Sequence, residues 1–387
     1  MKITAVRATW LQARIPPERA HVSDFGRNDS FNSCLVEVDT DAGITGLGEA
    51  KVGVGNLGNY AGVVELIRRD LGPAVLGRDP RDVTAIWDAL YSGSRAHYGA
   101  REGRLFPTVG RRGITVAAIS GIDIALWDIA GKALGVPVWQ LLGGKYRPAV
   151  RAYASGGWAP VGGIGAQLAQ YVARGHGAVK MRVGLQDAGV DDSAARVREV
   201  RETLGPNVDI MVDAHGTWSV RDALRFARKV EAYDLAWIEE PVSADNIAGL
   251  AEVRRATDIP IATGENEQTR FGFRDLIAAR AVDILQPDIA IAGGLTECQR
   301  ICGLASAHEL TVAPHLWGSA ILFASGLHLC VATPCATTVE FSRGENPLLH
   351  EMVEETFDLV DGHVQAPTQP GLGLTLRKDF VRANAVA

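Results

Sequence analysis

The sequence predicts an α/β fold in which a parallel βα barrel carries a second domain of α+β type. Its first support is a row of polar residues, each ending a short apolar run: Asp213, Glu239, Glu265, Asp288, His315 and Glu340. They recur about every 25 positions, the length of one strand, one helix and two turns. The chain of 387 residues also exceeds one barrel of about 200 to 250 residues. Since strand ends converge on one barrel mouth, the row predicts an active site.

The N-terminal region lacks this period, and its patterns predict a mixture of strands and helices. Alternation predicts strands at 2–11 and 33–40, and helical spacing predicts helices at 59–71, 80–92 and 114–134. The polar, glycine-rich stretch 92–113 is expected to be flexible.

The barrel and its flanks define the predicted domains. Its first two strands are predicted near residues 150–154 and 178–183. After Glu340 the period is lost, and we expect the tail to return onto the N-terminal domain. The predicted division is an α+β domain at 1–120, a barrel at 121–345, and a tail at 346–387 that completes the first domain.

Composition and charge exclude several classes of protein. The formal net charge is −6 and no basic run appears, which argues against a nucleic-acid partner. No apolar stretch approaches the roughly 18 residues of a membrane span, and the N-terminus lacks the layout of a secretory signal. We therefore expect a cytoplasmic protein with no membrane partner. The five cysteines lack zinc spacing and are expected to be buried thiols.

Three carboxylates on successive strand ends, Asp213, Glu239 and Glu265, form an oxygen ligand set for a hard divalent cation, Mg²⁺ or alternatively Mn²⁺. The competing interpretation is that these acids only cap the following helices, but glutamate is a poor cap. Glu240 directly follows Glu239, and strand alternation points it the other way. We expect Glu240 to support the site or to pack.

Asp288 and His315 end neighbouring strands. A carboxylate beside an imidazole fixes its tautomer and raises its basicity, so we predict a general acid/base pair. His215 lies two residues after Asp213 and points into the same mouth if the strand is still extended there. His215 is interpreted either as an acid/base group or as a supporting hydrogen bonder.

Lys180 and Arg182 lie two residues apart on the second barrel strand, so both are expected to face the mouth. Three carboxylates and one divalent cation leave the site formally negative, and an anionic substrate needs further positive charge. These two side chains can supply that charge. Arg182 is a poor general base because its guanidinium keeps its proton.

Several stretches together resemble the enolase superfamily, in its mandelate racemase group, over nearly the whole chain. They are MKITAVRATW at the start, SGIDIALWDIAGKALGVPVWQLLGG at 120–144, the three acids, QPD and APH around Asp288 and His315, and GLGL near the end. The resemblance implies a TIM-like (β/α)7β barrel capped by an α+β domain that is built from both chain ends.

The resemblance also implies a chemistry, because enzymes of this superfamily combine a Lys or His base with Mg²⁺ that stabilises an enediolate. By similarity, the ion would chelate a substrate carboxylate and be held by Asp213, Glu239 and Glu265. His315 with Asp288 would handle the α-proton. Glu340 would hydrogen-bond the substrate carboxylate, and Lys180 would help to hold the enediolate.

One departure from the family pattern indicates the reaction. Mandelate racemase-like members have Lys-x-Lys on the second strand and use the second lysine as a base, whereas this chain has Arg182 there. Galactonate and mannonate dehydratases have a histidine two residues after the first metal ligand, and His215 matches that pattern. We therefore expect dehydration of a sugar acid, an aldonate or aldarate, to a 2-keto-3-deoxy acid. His315 would remove the α-proton and His215 would protonate the departing β-hydroxyl.

Three alternatives remain open. A racemase or epimerase needs a second base, for which Lys180 is the candidate. A lactone cycloisomerase would expel a ring ester oxygen by the same elimination, and a catalytically silent barrel would only bind carboxylates. The identity of the sugar acid is assigned to the loops at 21–29 and 50–56 and to those after barrel strands 2 and 8. A symmetric homo-oligomer is expected by analogy with the family.

Overall fold

The computed structural model describes residues 1–16, 21–23, 25–95 and 110–386. It contains an N-terminal α+β part and a parallel barrel, as the sequence predicts. Most of the stretch 92–113, which was expected to be flexible, lies outside the described residues.

The N-terminal part is built on a three-stranded antiparallel sheet of order β1-β4-β5. Its strands, with those of a small hairpin (β2 and β3), are β1 Ile3–Arg14, β2 His21–Ser23, β3 Gly26–Asn28, β4 Ser30–Thr40 and β5 Thr45–Ala50. The helices are α1 Ala61–Leu66, α2 Gly72–Val75, α3 Val83–Ser92 and α4 Ile114–Leu134, with a π-helical stretch at Ile67–Leu71 that joins α1 to α2.

Helix α4 lies directly on strand β5, and two glycines permit that close approach. A Cβ atom on Gly48 would lie 1.9 Å from the carbonyl oxygen of Gly121, and one on Gly46 would lie 2.1 Å from that of Ala125. Because any larger residue would collide with helix backbone, the contact fixes β5 and the residues that follow it.

Helix α4 also corrects one expectation about membranes. With 21 residues and a mean hydropathy of 1.5, it is long and apolar enough to span a bilayer, contrary to the prediction that no stretch would be. However, 83% of its apolar window is buried inside the fold. Such burial is typical of a core helix. Helix α4 is the core helix that packs between the cap sheet and the barrel.

The barrel contains eight parallel strands within residues 149–342. They are β6 Ala149–Ser155, β7 Ala178–Arg182, β8 Asp209–Asp213, β9 Leu235–Glu239, β10 Ile261–Thr263, β11 Ile284–Leu285, β12 Thr311–Val312 and β13 Thr338–Ser342. Neighbouring strands pair in parallel from β6 to β12, β13 pairs with β6, and a bridge from Val312 to Ala336 closes the ring.

Helices cross between the barrel strands and cover the outside. They are α6 Ile164–Ala173, α7 Val190–Leu204, α8 Val220–Val230, α9 Ile247–Arg255, α10 Thr269–Ala278, α11 Ile289–Ala292 with α12 Gly294–Ala307, and α13 Ala320–Ala332, while the short α5 Val138–Leu141 precedes the barrel. This is the (β/α)7β arrangement. Inside, Tyr153, Met211 and Trp237 fill the barrel beneath its mouth.

The C-terminal tail contacts both parts of the chain. Its elements are α14 Pro347–His350, β14 Leu359–Val360, β15 His363–Gln365 and α15 Lys378–Asn384. Strand β15 pairs antiparallel with β6 of the barrel, whereas the amide of Val386 donates to the carbonyl of Trp10 on the cap sheet. The boundary expected at residue 120 falls within helix α4.

Candidate functional site

The strand registers bring the polar row to one level of the barrel. Arg182 pairs with Asp213 across β7 and β8, and Asp213 pairs with Glu239 across β8 and β9. Asp288 and His315 form a bridge just beyond β11 and β12. The predicted residues therefore meet at the carboxyl ends of the strands, where a barrel builds its active site.

The predicted pair of Asp288 and His315 is in direct contact. His315 Nδ1 lies 2.8 Å from Asp288 Oδ2, and both side chains are buried. Burial raises the pKa of Asp288, but the lowering effect of Lys51 and His315 is larger, so the net shift of this pKa is downward. An ionised carboxylate only accepts hydrogen bonds, so the Nδ1 atom carries the proton and Nε2 is the basic nitrogen.

The Nε2 atom of His315 faces the acids of the mouth. It lies 3.5 Å from Glu265 Oε2 and 3.9 Å from Glu340 Oε2. Burial and the Lys51 charge lower the pKa of His315, but the surrounding carboxylates outweigh them and raise it overall. The imidazole is thus poised to hold or release a proton at Nε2.

A compact group of potential metal ligands lies beside this pair. Asp213, His215 and Glu265 each offer one ligand atom, and these three atoms lie within 4.8 Å of one another. Burial, followed by the negative charge of Glu240, raises the pKa of Glu265. Asp213 and Glu265 supply carboxylate oxygens, which are the ligands that a hard divalent ion prefers.

Glu239, the third acid of the predicted ligand set, is engaged deeper in the barrel. Its Oε1 lies 2.6 Å from Lys180 Nζ, and its Oε2 accepts hydrogen bonds from Trp237 at 3.0 Å and Gln286 at 2.7 Å. The structure therefore groups Asp213 and Glu265 with His215, and joins Glu239 to Asp213 through Lys180, whose Nζ lies 3.7 Å from Asp213 Oδ2.

Lys180 and Arg182 both reach the acids, but at different depths. Lys180 is fully buried above the ring of Tyr153, and its Nζ lies 3.0 Å from Glu340 Oε1. Arg182 pairs with Asp213 Oδ2 at 2.7 Å and lies over the ring of Trp317. Only Arg182 of the two lines the cavity above the mouth, so Lys180 acts from beneath it.

Glu340 is held from two sides. Its Oε1 faces Lys180, and its Oε2 accepts the amide hydrogen of Leu316 at 2.9 Å. Burial raises the pKa of Glu340, but Lys180 and other positive groups lower it well below its usual range. Glu340 is thus a fixed negative charge at the mouth.

The backbone at His215 is not extended. The prediction that an extended strand would point His215 into the mouth is therefore wrong about the backbone, although the side chain does line the cavity. Strand β8 ends at Asp213, and His215 has a φ of 44°. The resulting turn lets the His215 amide donate to Asp213 Oδ1 at 3.0 Å and places His215 Nε2 3.1 Å from Asp213 Oδ2. The ring lies 4.7 Å from that of Phe25 on the cap and lines the cavity.

The alternation of side chains along a strand also does not apply to Glu240, because the strand ends before this residue. Strand β9 ends at Glu239, and Glu240 has a φ of 40°. Its buried carboxylate accepts from Thr263 Oγ1 at 3.2 Å. Burial, and then the negative charges of Asp213 and Glu239, raise the pKa of Glu240 to about 7. Glu240 therefore lies within the electrostatic reach of the acid cluster.

A cavity of about 380 Å³ lies between cap and barrel above these groups. His315, His215 and Arg182 line it from the barrel, and the cap contributes residues of the β3 and β4 region and of the loop after β5. This volume matches that of a small-molecule site. The loops at 21–29 and 50–56, expected to select the substrate, thus provide part of its wall.

Sequence reasoning missed two cap residues that reach into the barrel. Lys51 Nζ lies 2.6 Å from Asp288 Oδ2, and Glu49 accepts hydrogen bonds from Ser33 and Ser319. In the sequence, the only indication of this role is that two charged residues, Glu49 and Lys51, lie at the end of strand β5 and directly after it. The sequence analysis assigns residues 50–56, which include Lys51, to a loop that selects the sugar acid.

Comparison with known proteins gives matches over both parts of the chain. Residues 8–143 match the family described as Mandelate racemase / muconate lactonizing enzyme, N-terminal domain, and residues 163–380 match Enolase C-terminal domain-like. Together these matches cover the cap from residue 8 and the barrel after its first strand.

Individual relatives match over most of their length. The chain is 35% identical to D-galactarolactone cycloisomerase of Agrobacterium fabrum, covering 98% of this chain and 97% of the relative. It is 34% identical to D-galactonate dehydratase of Xanthomonas campestris, covering 90% of each. A solved racemase from Streptomyces coelicolor with bound magnesium is 31% identical with a TM-score of 0.85, covering 99% of this chain and 100% of that one.

Proposed function

Since the chain belongs to the enolase superfamily, in its mandelate racemase and muconate lactonizing enzyme group, we propose that it dehydrates an aldonic or aldaric sugar acid to a 2-keto-3-deoxy acid. The observation that carries the proposal is that two imidazoles, those of His315 and His215, line one cavity. Two such groups are what elimination requires, one to remove a proton and one to protonate the leaving group. The D-galactonate dehydratase relative supports the same reaction.

We propose that Asp213, Glu239 and Glu265 hold Mg²⁺, with Mn²⁺ as a substitute. Their carboxylates suit a hard cation, and the racemase neighbour with bound magnesium supports the choice. His215 lies in the same compact group, but a ring nitrogen bound to the ion could not donate a proton, so we assign His215 to the acid role and not to the ligand set. The bound ion would stabilise the negative charge that develops on the substrate carboxylate.

His315 is the proposed base for the α-proton. Asp288 holds the proton on Nδ1, which leaves Nε2 to accept the hydrogen beside the substrate carboxylate. Glu340, fixed by Lys180 and the Leu316 amide, is proposed to position that carboxylate by sharing one proton with it, because two ionised carboxylates would repel each other. Arg182, which lines the cavity, adds the positive charge that an anionic substrate needs.

His215 is the proposed acid for the departing β-hydroxyl. As the acid, the ring would donate from the cavity wall, where it lies beside Asp213. The resulting enol ketonises to the 2-keto-3-deoxy acid. The racemase alternative is weaker, because Lys180 is fully buried between Glu239 and Glu340 and does not line the cavity.

A lactone cycloisomerase is the second candidate, favoured by the relative that is 35% identical over nearly the whole chain. The same base and acid would then open a lactone ring by expelling its ester oxygen. A screen separates the two: purified protein with Mg²⁺ is incubated with aldonic acids, aldaric acids and aldarolactones, and keto-acid products are detected. We expect keto acid from a linear sugar acid. Turnover of lactones alone would favour the cycloisomerase.

A further inference from the structure

A lysine of the cap is built into the barrel's acid/base pair. Lys51 follows strand β5, and its Nζ lies 2.6 Å from Asp288 Oδ2 and 2.9 Å from the carbonyl oxygen of Trp317. Its own amide donates to the carbonyl of Ala290 at 3.1 Å. The side chain is only 7% exposed, and that of Asp288 is fully buried.

The Asp288 carboxylate is held by three donors from separate parts of the chain. Its Oδ2 is shared by Lys51 Nζ and His315 Nδ1, and its Oδ1 accepts the amide hydrogen of Ala290 at 2.9 Å. A carboxylate that is bound at both oxygens cannot rotate, so the position of Oδ2 in turn fixes the plane of the imidazole.

We propose that Lys51 is a positioning residue for the reaction, acting through Asp288 to hold His315 in its productive orientation. This inference rests on the proposed role of His315 as the base for the α-proton.

The charge of Lys51 supports this role. A buried carboxylate without a cation is costly, and Lys51 is the strongest influence that offsets the effect of burial on the pKa of Asp288. Without Lys51, an ionised Asp288 would retain the imidazole of His315 and the amide of Ala290 as the partners of its side chain among the described residues. The carboxylate would then be free to move toward water in the cavity, which Lys51 also lines.

The segment that carries Lys51 is anchored at its other end as well. The amide of Val54 donates to Asn266 Oδ1 at 2.7 Å, and Asn266 directly follows Glu265. Residues 51–54 therefore span from the acid/base pair to the loop of a proposed metal ligand. Because Lys51 Nζ already binds Asp288 and the Trp317 carbonyl, we expect it to position His315 rather than to bind substrate.

The chain contains a closely matched control. Lys132 Nζ lies 2.6 Å from buried Asp128 and 2.9 Å from the carbonyl of Thr45, on helix α4 and not on the cavity. The test compares Lys51→Met, Lys51→Arg and Lys132→Met with wild type. It measures kcat and KM for α-proton exchange, thermal unfolding, and the ¹H resonance of the His315 Nδ1 proton in ¹⁵N-histidine-labelled protein, assigned by its loss in His315→Asn.

For Lys51→Met we expect kcat to fall roughly 10- to 100-fold, as when a partner of a catalytic or metal-bound histidine is lost. The KM should change less than about twofold, because substrate binding is not removed. The Nδ1 resonance should move or broaden. Lys51→Arg should recover part of the rate, and Lys132→Met should keep wild-type kcat and resonance.

A raised KM with normal kcat, an unmoved resonance, or an equal loss in Lys132→Met would overturn the inference. If Lys51→Met does not fold, Lys51→Arg decides: a kcat and a resonance that change together sustain the role, whereas a change in only one of them, or in neither, refutes it. Absence of exchange in wild type with every sugar acid would instead refute the proposed function, whereas the resonance tests the contact without substrate.

Discussion

At the residue scale, the proposed reaction depends on two histidines with separate tasks. His315 is tied to Asp288 through Nδ1 and presents Nε2 to the mouth, whereas His215 lies beside Asp213 under Phe25. Both were singled out from the sequence, because each follows an apolar run in the βα period. The turn at His215 was not foreseen, since strand alternation carries no information beyond the last strand residue.

Replacing the proposed base should stop the reaction at its first step. His315→Asn keeps a polar side chain but loses the basic nitrogen, so we expect α-proton exchange and turnover both to fall roughly 10²- to 10⁴-fold. Exchange is followed by ¹H NMR in D₂O. Persistent exchange in this variant would assign the base to another group.

Replacing the proposed acid, His215, should separate α-proton exchange from loss of the β-hydroxyl. The variant His315→Asn cannot separate these steps, because it blocks the first of them. His215→Asn leaves the base in place, so we expect keto-acid formation to fall roughly 10²-fold or more while exchange is less affected. Parallel assays of keto acid and of deuterium incorporation measure the difference. Full dehydratase activity in His215→Asn would return the racemase alternative to first place.

At the element scale, the sequence predicted long, strongly patterned segments best. Helix α4 was expected at residues 114–134 and has those bounds, and the strand ends at Asp213 and Glu239 lie where the polar row indicated. Strands β11 and β12 have only two residues each, because their remaining contacts are isolated bridges. The left-handed backbone at Glu240 was missed because its cause, the end of β9, is not visible in a periodic pattern.

The close contact of α4 with β5 predicts a large effect of one methyl group. Gly48→Ala would place Cβ against the Gly121 carbonyl, so we expect a loss of roughly 3 kcal/mol in the free energy of unfolding. Gly303→Ala is the control, because, apart from its chain neighbours and its own helix backbone, no atom of the described residues lies within 4 Å of its Cβ position on helix α12, and it should be neutral or slightly stabilising. Urea unfolding measures both; equal stabilities would contradict the packing described.

A buried histidine on α13 predicts how stability changes with pH. His328 accepts from the Trp139 amide and contacts the carbonyl of Leu372 in the tail, and burial lowers its pKa from 6.5 to about 4. The unfolded chain then binds the proton more tightly. His328 therefore contributes stability that is present above pH 6.5 and is lost as pH falls toward 4, by up to about 3 kcal/mol.

Thermal unfolding between pH 4 and pH 7 tests this dependence. The slope of melting temperature against pH should flatten in His328→Gln, in which no group titrates at this position. An unchanged slope would show that other groups account for the acid sensitivity.

At the scale of the whole molecule, the site exists only where cap and barrel meet. Lys51 and Asp288 are 237 residues apart in sequence, and no local pattern links them. Sequence reasoning could place the barrel residues on one mouth because the βα period implies it. It assigned the loops that contain Phe25 and Lys51 to substrate recognition. It could not assign their contacts with His215 and Asp288, because the docking of the cap follows from packing such as that of α4 on β5.

The most direct test of the central claim is exchange of the substrate α-proton with solvent deuterium, measured by NMR on wild type with an aldonic or aldaric acid. We predict exchange that requires Mg²⁺, stops when a chelator removes divalent cations and resumes when Mg²⁺ is restored, and falls roughly 10²- to 10⁴-fold in His315→Asn. Exchange that continues in the chelated protein, or that keeps its wild-type rate in His315→Asn, would contradict the account.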